Sequence, residues 1–517
     1  MPIRNLIIIF GDQLDPESAA FDGFVFSSDA VAMAEVHEEA TYIRQHKIRL
    51  VLFFSAMRHF RDELIAKGIP VHYRQIDDPQ SDPQNHGSLA AELAARVKEL
   101  RPEKIIMLEP GDYRISHEIK QQAAKLNVPL EIRPDRHFYC ATDEFQSYAK
   151  PGKRLIMENF YRQMRVKHGV LMEGKDPVGG QWNFDKDNRQ PLTAAARREI
   201  RPPHAFKPDA LTREVIATVE ERFPDSPGRL DHFDYPVTRA QAHQALKDFI
   251  QHRLTGFGPY EDAMAQGEQF LFHSRLSCSL NLHLLRPQEV VDAAIHAYQA
   301  RHAPLNSVEG FVRQILGWRE YVRGIYWQHM PGYQNLNALE ADLPVPPFFW
   351  TAETEMNCMR HSVNGLIDHA YAHHIQRLMV MGLFSLLLGV VPRKFHEWHM
   401  SMFVDSIDWV SLPNALGMSQ YGDGGIMATK PYSASGNYIH RMSDYCQGCR
   451  YKPGKSTGDD ACPFTTLYWD FLARHRETFA KNGRMLYQIQ NLNRQDKGDT
   501  QRIRKQADHL RASTHLY

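Results

Sequence analysis

Four cysteines, placed from Cys358 to Cys462, restrict the possible folds of this chain more than any other feature. Cys358 stands alone, Cys446 and Cys449 form a CxxC, and Cys462 comes directly before Pro463. Four thiolates can close a tetrahedral site, and a CxxC lets two of them hold one centre from a tight turn. If all four converge, distant segments must fold back to a single point. The competing reading is ordinary buried thiols, which suits Cys140 and Cys278. Three cysteines so close in a small polar loop favour a metal or a disulfide instead. Spacing does not separate zinc from an iron-sulfur cluster, although the final Cys-Pro leans towards iron-sulfur.

The rest of the sequence narrows the setting. At 517 residues the chain is too long for one core, so two domains with connecting segments are expected. Hydrophobic residues at 43% and charged residues at 24% describe a globular protein. Lys plus Arg balances Asp plus Glu, so a nucleic-acid surface would be a local basic patch rather than a global excess. The opening MPIRNLIIIFGDQL is too short in apolar residues for a signal peptide and reads as a strand. No window reaches the roughly 18 uncharged apolar residues of a membrane span. A cytoplasmic protein is expected, where paired cysteines more often mean metal than disulfide.

In chain order, residues 1–135 alternate strand and helix patterns. Strands are expected at Leu6–Phe10, Ala30–Val36, Arg49–Phe54, Val71–Gln75, Lys104–Leu108 and Leu130–Ile132, with helices at Ser55–Lys67, Ser88–Leu100 and Ser116–Leu126. This implies a doubly wound parallel α/β sheet of about five strands, with ligands at the carboxyl ends of the strands. That edge carries Gly11 to Leu14, Glu35, and Gly111 to Arg114. The absence of GxGxxG and P-loop patterns argues against a dinucleotide or nucleoside triphosphate there. Residues 136–234 read as a connector, containing the basic, aromatic-interleaved run Lys150–Lys167 and the irregular stretch Gly179–Pro191. That basic run suits either a nucleic-acid face or a solvated amphipathic helix. From 235 to 517 the patterns are helical. Within them Ala370–Val390 reads as one buried helix, with His373 and His374 about 100° apart and Arg377 one turn beyond. A serine-flanked SRLS, Ser274 to Ser277, stands where a helix start can hold a pyrophosphate or simply be capped.

The motif HHIQRLMV from His373, combined with the four cysteines and the segment MSMFVDSIDWVSLPNALGMSQYGDGG, resembles the cryptochrome and photolyase flavoproteins. It is similar in particular to their bacterial iron-sulfur branch, the prokaryotic (6-4) photolyases, over nearly the whole chain. The resemblance implies an α/β antenna domain at 1–135 and an all-helical FAD-binding catalytic domain at 235–517. It also implies FAD, a [4Fe-4S] cluster on Cys358, Cys446, Cys449 and Cys462, and a 6,7-dimethyl-8-ribityllumazine antenna near Asp12 and Glu35, two carboxylates that turn capping would also explain. For the flavin it points to Tyr260, Ser274, Arg275, Leu276, Ser277, Gln314, Arg319, the pair Arg377 and Asp405, and Ser411 opposite N5. Asp187 matches a position close to the flavin pocket in this branch. Trp318 and Glu320 fall on the same helix as Gln314 and Arg319.

The implied activity is reversal of (6-4) pyrimidine-pyrimidone lesions in UV-damaged DNA by a light-driven electron from reduced FAD. His374 would be the proton donor, with His373 as an orienting neighbour and Tyr432 as a substitute donor. Trp398, Trp350 and His399 match relay positions for electrons, and Tyr438 is placed to link the flavin and cysteine regions. The loop carrying Arg450, Lys452 and Lys455 would either touch a phosphate backbone or remain solvated. The protein is expected to act as a monomer. Two rivals remain: a blue-light photoreceptor of the same fold without repair activity, and a zinc-stapled nucleic-acid-binding module without cofactor chemistry.

Overall fold

A computed structural model describes residues 2–78, 87–150 and 154–513; Pro151, Gly152 and Lys153 of the basic run lie outside them. Five strands form one parallel sheet: β1 (Asn5–Ile8), β2 (Asp29–Ala34), β3 (Val71–Arg74), β4 (Lys104–Leu108) and β5 (Leu130–Arg133), in the order β3-β2-β1-β4-β5. Ile7 lies level with Val31 on one side and Ile106 on the other. The period-two alternation of a strand sends successive side chains to opposite faces. Leu6, Ile8, Ile105 and Met107 accordingly pack with Leu93 and Ile119 in a small core on one face. Ile7, Ile9, Val31, Ile106 and Leu108 face the other way and join the main core, which continues into the helical part of the chain.

One expected strand is a helix. Arg49–Phe54 lies inside the helix Lys47–Ala66, which also absorbs the expected helix at Ser55–Lys67. The apolar run of five from Leu50 to Phe54 fits a buried strand and a buried helix equally well, so its period carries no signal. The local decision comes from His46, whose ring accepts from the Ile48 amide at 3.1 Å and caps the first turn. The helices Leu89–Leu100 and Tyr113–Lys125 are capped conventionally, Ser88 accepting from the Ala91 amide and Asp112 from the Arg114 amide.

Residues beyond 238 are helical with turns. The expected helix Ala370–Val390 starts later than its hydrophobicity suggests. Ala370 takes a left-handed conformation (φ 49°) that ends the preceding helix Asn357–His369. The new helix begins at His374, with His373 in the N-cap position, and closes at Leu388 before Gly389 (φ 100°). The two histidines therefore straddle a helix start rather than sharing a helix face. The backbone widens to π geometry at Arg377–Gly382, and again at Arg313–Arg319 and Pro413–Ser419, a distortion that concentrates at functional sites. Gly382 is required by close approach: a Cβ there would lie 2.2 Å from the Ser419 hydroxyl and 2.7 Å from the Arg377 carbonyl.

Polar contacts tie the sheet to the helices. Arg286 grips Asp15 with two bonds of 2.8 and 2.9 Å, and Arg323 meets Glu109 at 2.6 Å. The His46 amide donates to the Ser401 carbonyl and the Trp409 amide to the Gly111 carbonyl. No helix among the described residues is long and apolar enough to cross a membrane.

Candidate functional site

The centre of the helical part is an ion pair. Arg377 donates from both terminal nitrogens to the two carboxylate oxygens of Asp405, each at 3.0 Å, and its Nε donates to the Ala372 carbonyl at 2.6 Å. The guanidinium also lies 4.2 Å from the centre of the Phe403 ring. Ser277 donates to Asp405 at 2.6 Å, and Asn281 donates to the Asp405 carbonyl at 2.7 Å. Burial acts to raise the Asp405 pKa, but Arg377 and Ser277 outweigh it and hold the carboxyl below its ordinary value. This leaves an ionised pair with a fixed positive charge.

The histidines stand beside this pair. His373 is buried, and both of its ring nitrogens lack a hydrogen-bond partner. It stacks on His273 at 4.4 Å with the planes 10° apart, and His273 Nε2 is likewise unpartnered. The surface of His374 is exposed although the residue is set deep in the fold. Its surface is thus accessible while its surroundings remain poorly solvated. Burial, then Arg377, lowers its pKa to about 4, so its imidazole is neutral at pH 7.

The SRLS loop meets the same centre through Ser277, while Ser274 accepts from the Leu276 amide at 3.3 Å. Arg275 has a left-handed backbone (φ 59°) and a guanidinium held by Asp234 over the Tyr235 and Phe270 rings. That guanidinium fastens the loop. Leu276 is buried, and Tyr260 stacks on Phe272 at 5.4 Å. Gln314 donates to the Gly310 carbonyl. Arg319 lies over Phe138 and Trp409, donates to Asn281, and so reaches Asp405 through one intervening side chain. Trp318 packs edge-on to Tyr321, and Glu320 accepts from the Cys140 amide. Ser411, on the helix Asp408–Leu412, is buried with an unpartnered hydroxyl. Unpaired buried polar atoms on His273 and His373, in the field of Arg377, and on Ser411 suit a planar ring system with several acceptors, as FAD has.

From Phe403 the aromatic contacts continue to Trp398 at 5.7 Å and on to Phe349 at 4.9 Å, with half-buried Trp350 next in sequence. His399 stacks on Phe403 at 4.2 Å. The half-buried Tyr432 lies in the field of Arg189, Arg484, Asp185 and Asp262, and Tyr438 hydrogen-bonds Asp262 beneath Arg441. Asp187 is exposed, whereas its neighbour Asp185 pairs with Arg313 at 2.5 Å.

Cys358, Cys446, Cys449 and Cys462 all line one pocket, together with Met356, Ile439 and Tyr445. None of the six cysteines is paired in a disulfide. A Cβ on Gly436 would lie 2.6 Å from Cys462 Sγ, so the glycine keeps that wall open. Among the described residues, no three His, Cys, Asp or Glu side chains already form a ligand set for one metal ion. The donors are nonetheless soft thiols converging from three segments, which fits a thiolate-bound metal centre. Nearby, Arg450 pairs with Glu355 and Lys455 with Asp460.

At the carboxyl ends of the strands lies a cavity of about 150 Å³. Phe10, Asp12, Arg49, Phe53 and Asp112 line it from the α/β side, and Met400, Ile407 and Asp408 from the helical side. Burial raises the Asp12 pKa to about 7; Asp112 is raised by burial and by the charge of Asp408. The Glu35 carboxylate is fully engaged by Arg58, Tyr73 and the Ile76 amide. Apolar walls with two carboxyls poised near neutrality fit a polar heteroaromatic ring.

Within the basic run, Arg165 is wholly buried and donates to the Val170, Leu171 and Trp182 carbonyls. Lys167 pairs with Glu144 and Arg162 with Glu158. Sequence reasoning missed Arg49, which reaches from the cavity to the Val404 and Ser406 carbonyls on either side of Asp405. It also missed His273, Gln376 and Tyr445. The expected strand hid Arg49, and no spacing rule joins the other three.

Residues 7–235 match a family described as deoxyribodipyrimidine photo-lyase-related protein. Over 485 residues the chain is 48% identical to the (6-4) photolyase of Agrobacterium fabrum, covering 93% of this chain and 94% of that relative. Its fold resembles that of a bacterial class III photolyase from Agrobacterium tumefaciens, with a TM-score of 0.57, 16% identity, and 99% and 98% of the two chains covered. It also resembles a Synechocystis cryptochrome, with a TM-score of 0.51, 12% identity, and 86% and 89% covered. With a fixed guanidinium-carboxylate pair flanked by histidines and near full-length likeness to a (6-4) photolyase, this chain belongs to the cryptochrome/photolyase family.

Proposed function

We propose that this chain is a light-driven DNA repair lyase that reverses (6-4) pyrimidine-pyrimidone photoproducts, acting as a monomer on UV-damaged DNA. The observation that carries the reading is the Arg377–Asp405 pair beside His373 and His374, whose ring environments are unpaired or poorly solvated. FAD, when bound, supplies the light-driven electron. Tyr260, Ser277, Gln314, Arg377 and Ser411 are the residues we assign to holding it, and Arg377 keeps a positive charge beside it. Cys358, Cys446, Cys449 and Cys462 would hold a [4Fe-4S] cluster, and the cavity at Asp12 a lumazine.

His374 is the proposed acid. A neutral imidazole gives up a proton poorly, so His374 must first be protonated under the influence of negative charge brought beside it by lesion and cofactor. Its exposed surface makes it reachable, while the surrounding protein limits water that would otherwise intercept the proton. His373, stacked on His273, fixes the backbone from which His374 projects. The damaged nucleotides would have to leave the duplex stack to reach it. Trp398 and its aromatic neighbours would carry electrons inward from the surface.

The test is blue-light illumination of the FAD-loaded protein with a (6-4)-containing oligonucleotide, followed by chromatography. Restored pyrimidines support the reading. Persistent lesion alongside a normal flavin spectrum would point instead to a photoreceptor of the same fold.

A further inference from the structure

The turn carrying His373 and His374 is joined to the cysteine pocket by a buried polar path. Gln376 is 1% exposed and faces both ways. Its Oε1 accepts from the His373 amide at 3.2 Å, and its Nε2 donates to the Tyr445 hydroxyl at 3.0 Å. Tyr445, also 1% exposed, lines the cysteine pocket and precedes Cys446. Its carbonyl accepts from Asn357, the neighbour of Cys358, at 2.8 Å. Its ring stacks on His361, at 5.6 Å with the planes 10° apart. One tyrosine is thus fixed to two of the cysteine-bearing segments at its backbone and holds the N-terminus of the histidine helix with its hydroxyl.

We propose that Tyr445 and Gln376 are positioning residues that transmit the geometry of the cysteine pocket to His373 and His374. The His373 amide is one of the donors that a helix start leaves without an intrahelical partner. Here the acceptor is a side chain whose other end is anchored outside the helix, so the turn cannot shift unless Tyr445 shifts too. A buried amide that loses its only partner must find another or pay the cost of desolvation, and the backbone of 370–376 would move to do so. Displacement of a proton donor by about 1 Å can cost on the order of 100-fold in rate. The cysteine site then sets catalytic geometry as well as joining segments. This inference rests on the reading of His374 as the acid, and its structural half is measurable without that reading.

The experiment uses the full-length, FAD-loaded protein and its Tyr445→Phe, Gln376→Met and Gln376→Glu variants. The Phe substitution removes one oxygen and leaves the ring on the pocket wall. Glu keeps an acceptor for the His373 amide and a partner for the Tyr445 hydroxyl. Amide hydrogen exchange across 370–378 should rise about tenfold or more in Tyr445→Phe and Gln376→Met, with exchange in the β1–β5 sheet unchanged. Lesion reversal per absorbed photon should fall about tenfold in the same two variants, with affinity for lesion DNA and flavin content retained. Gln376→Glu should restore both readouts, and the double variant Tyr445→Phe with Gln376→Met should be no worse than either single one. Unchanged exchange in Tyr445→Phe would overturn the link. Faster exchange with full repair would overturn its role in proton delivery. If the unsubstituted protein leaves the lesion intact, the functional reading fails and the exchange measurement alone decides the link.

Discussion

Arg377 and Asp405 form a two-pronged ion pair, both contacts 3.0 Å, with the guanidinium lying over Phe403. Asp405→Asn leaves that guanidinium without its counter-charge in a poorly solvated site. Removing one member of a buried pair costs on the order of 3 kcal/mol. We expect a lower unfolding midpoint in urea and loss of most bound flavin, read from the visible absorbance of the purified variant.

The surface of His374 is exposed, so truncating its side chain should leave the fold intact. His374→Ala should retain FAD and lose lesion reversal by about 100-fold or more, the scale of a lost general acid. Chromatography of an illuminated (6-4) oligonucleotide checks this, and undiminished reversal would remove the assignment.

Arg377 is also a cause of the depressed His374 pKa, second to burial. Deleting its positive charge makes protonation easier. In Arg377→Gln the His374 ring should therefore titrate above the value of about 4 that it has in the parent chain, while remaining below the ordinary histidine range because burial persists. Ring resonances followed by NMR against pH give both values.

Cys449 belongs to the pocket that gathers three segments. Cys449→Ser should lower iron content per chain and soluble yield together, because a metal site that forms only on folding contributes its binding energy to stability. Iron analysis and flavin-to-protein ratio test this; a stable variant with full flavin content would remove the stapling role.

Asp12 provides a pH test. Its pKa is raised by burial to about 7, above its unfolded value of about 4. Between those values the native state holds the proton and the unfolded state does not, so this group costs stability as pH rises from about 4 to about 7, and the cost is constant above. Asp12→Asn should raise the unfolding temperature at pH 8 relative to the parent chain and change it little at pH 4.

The four cysteines, the HHxxR motif and the alternation of apolar runs were legible because each is local: residue type and spacing state them directly. The same logic gives β1, β2, β3, β4 and β5, whose period-two faces match the two cores on either side of the sheet. It fails at Arg49–Phe54, where six apolar-rich residues carry no usable period and a histidine cap decided for helix. It also fails at Ala370, where a left-handed residue cut an apolar run that composition alone would continue.

By itself, then, the sequence determined which groups are present and which segments want to be buried, since hydrophobicity, propensity and thiol chemistry belong to the residues themselves. Only the tertiary structure decided which of those groups meet. Asp405 faces Arg377, the Glu35 carboxylate at the cavity wall is held by Arg58 and Tyr73, Arg165 is turned inward, and Gln376 joins Tyr445 to the histidine turn. Apart from Arg165, whose acceptors Val170 and Leu171 are near in sequence, each of these outcomes depends on a partner far away in the chain, and a hydrogen bond or ion pair has no energy until packing brings its two halves within about 3 Å.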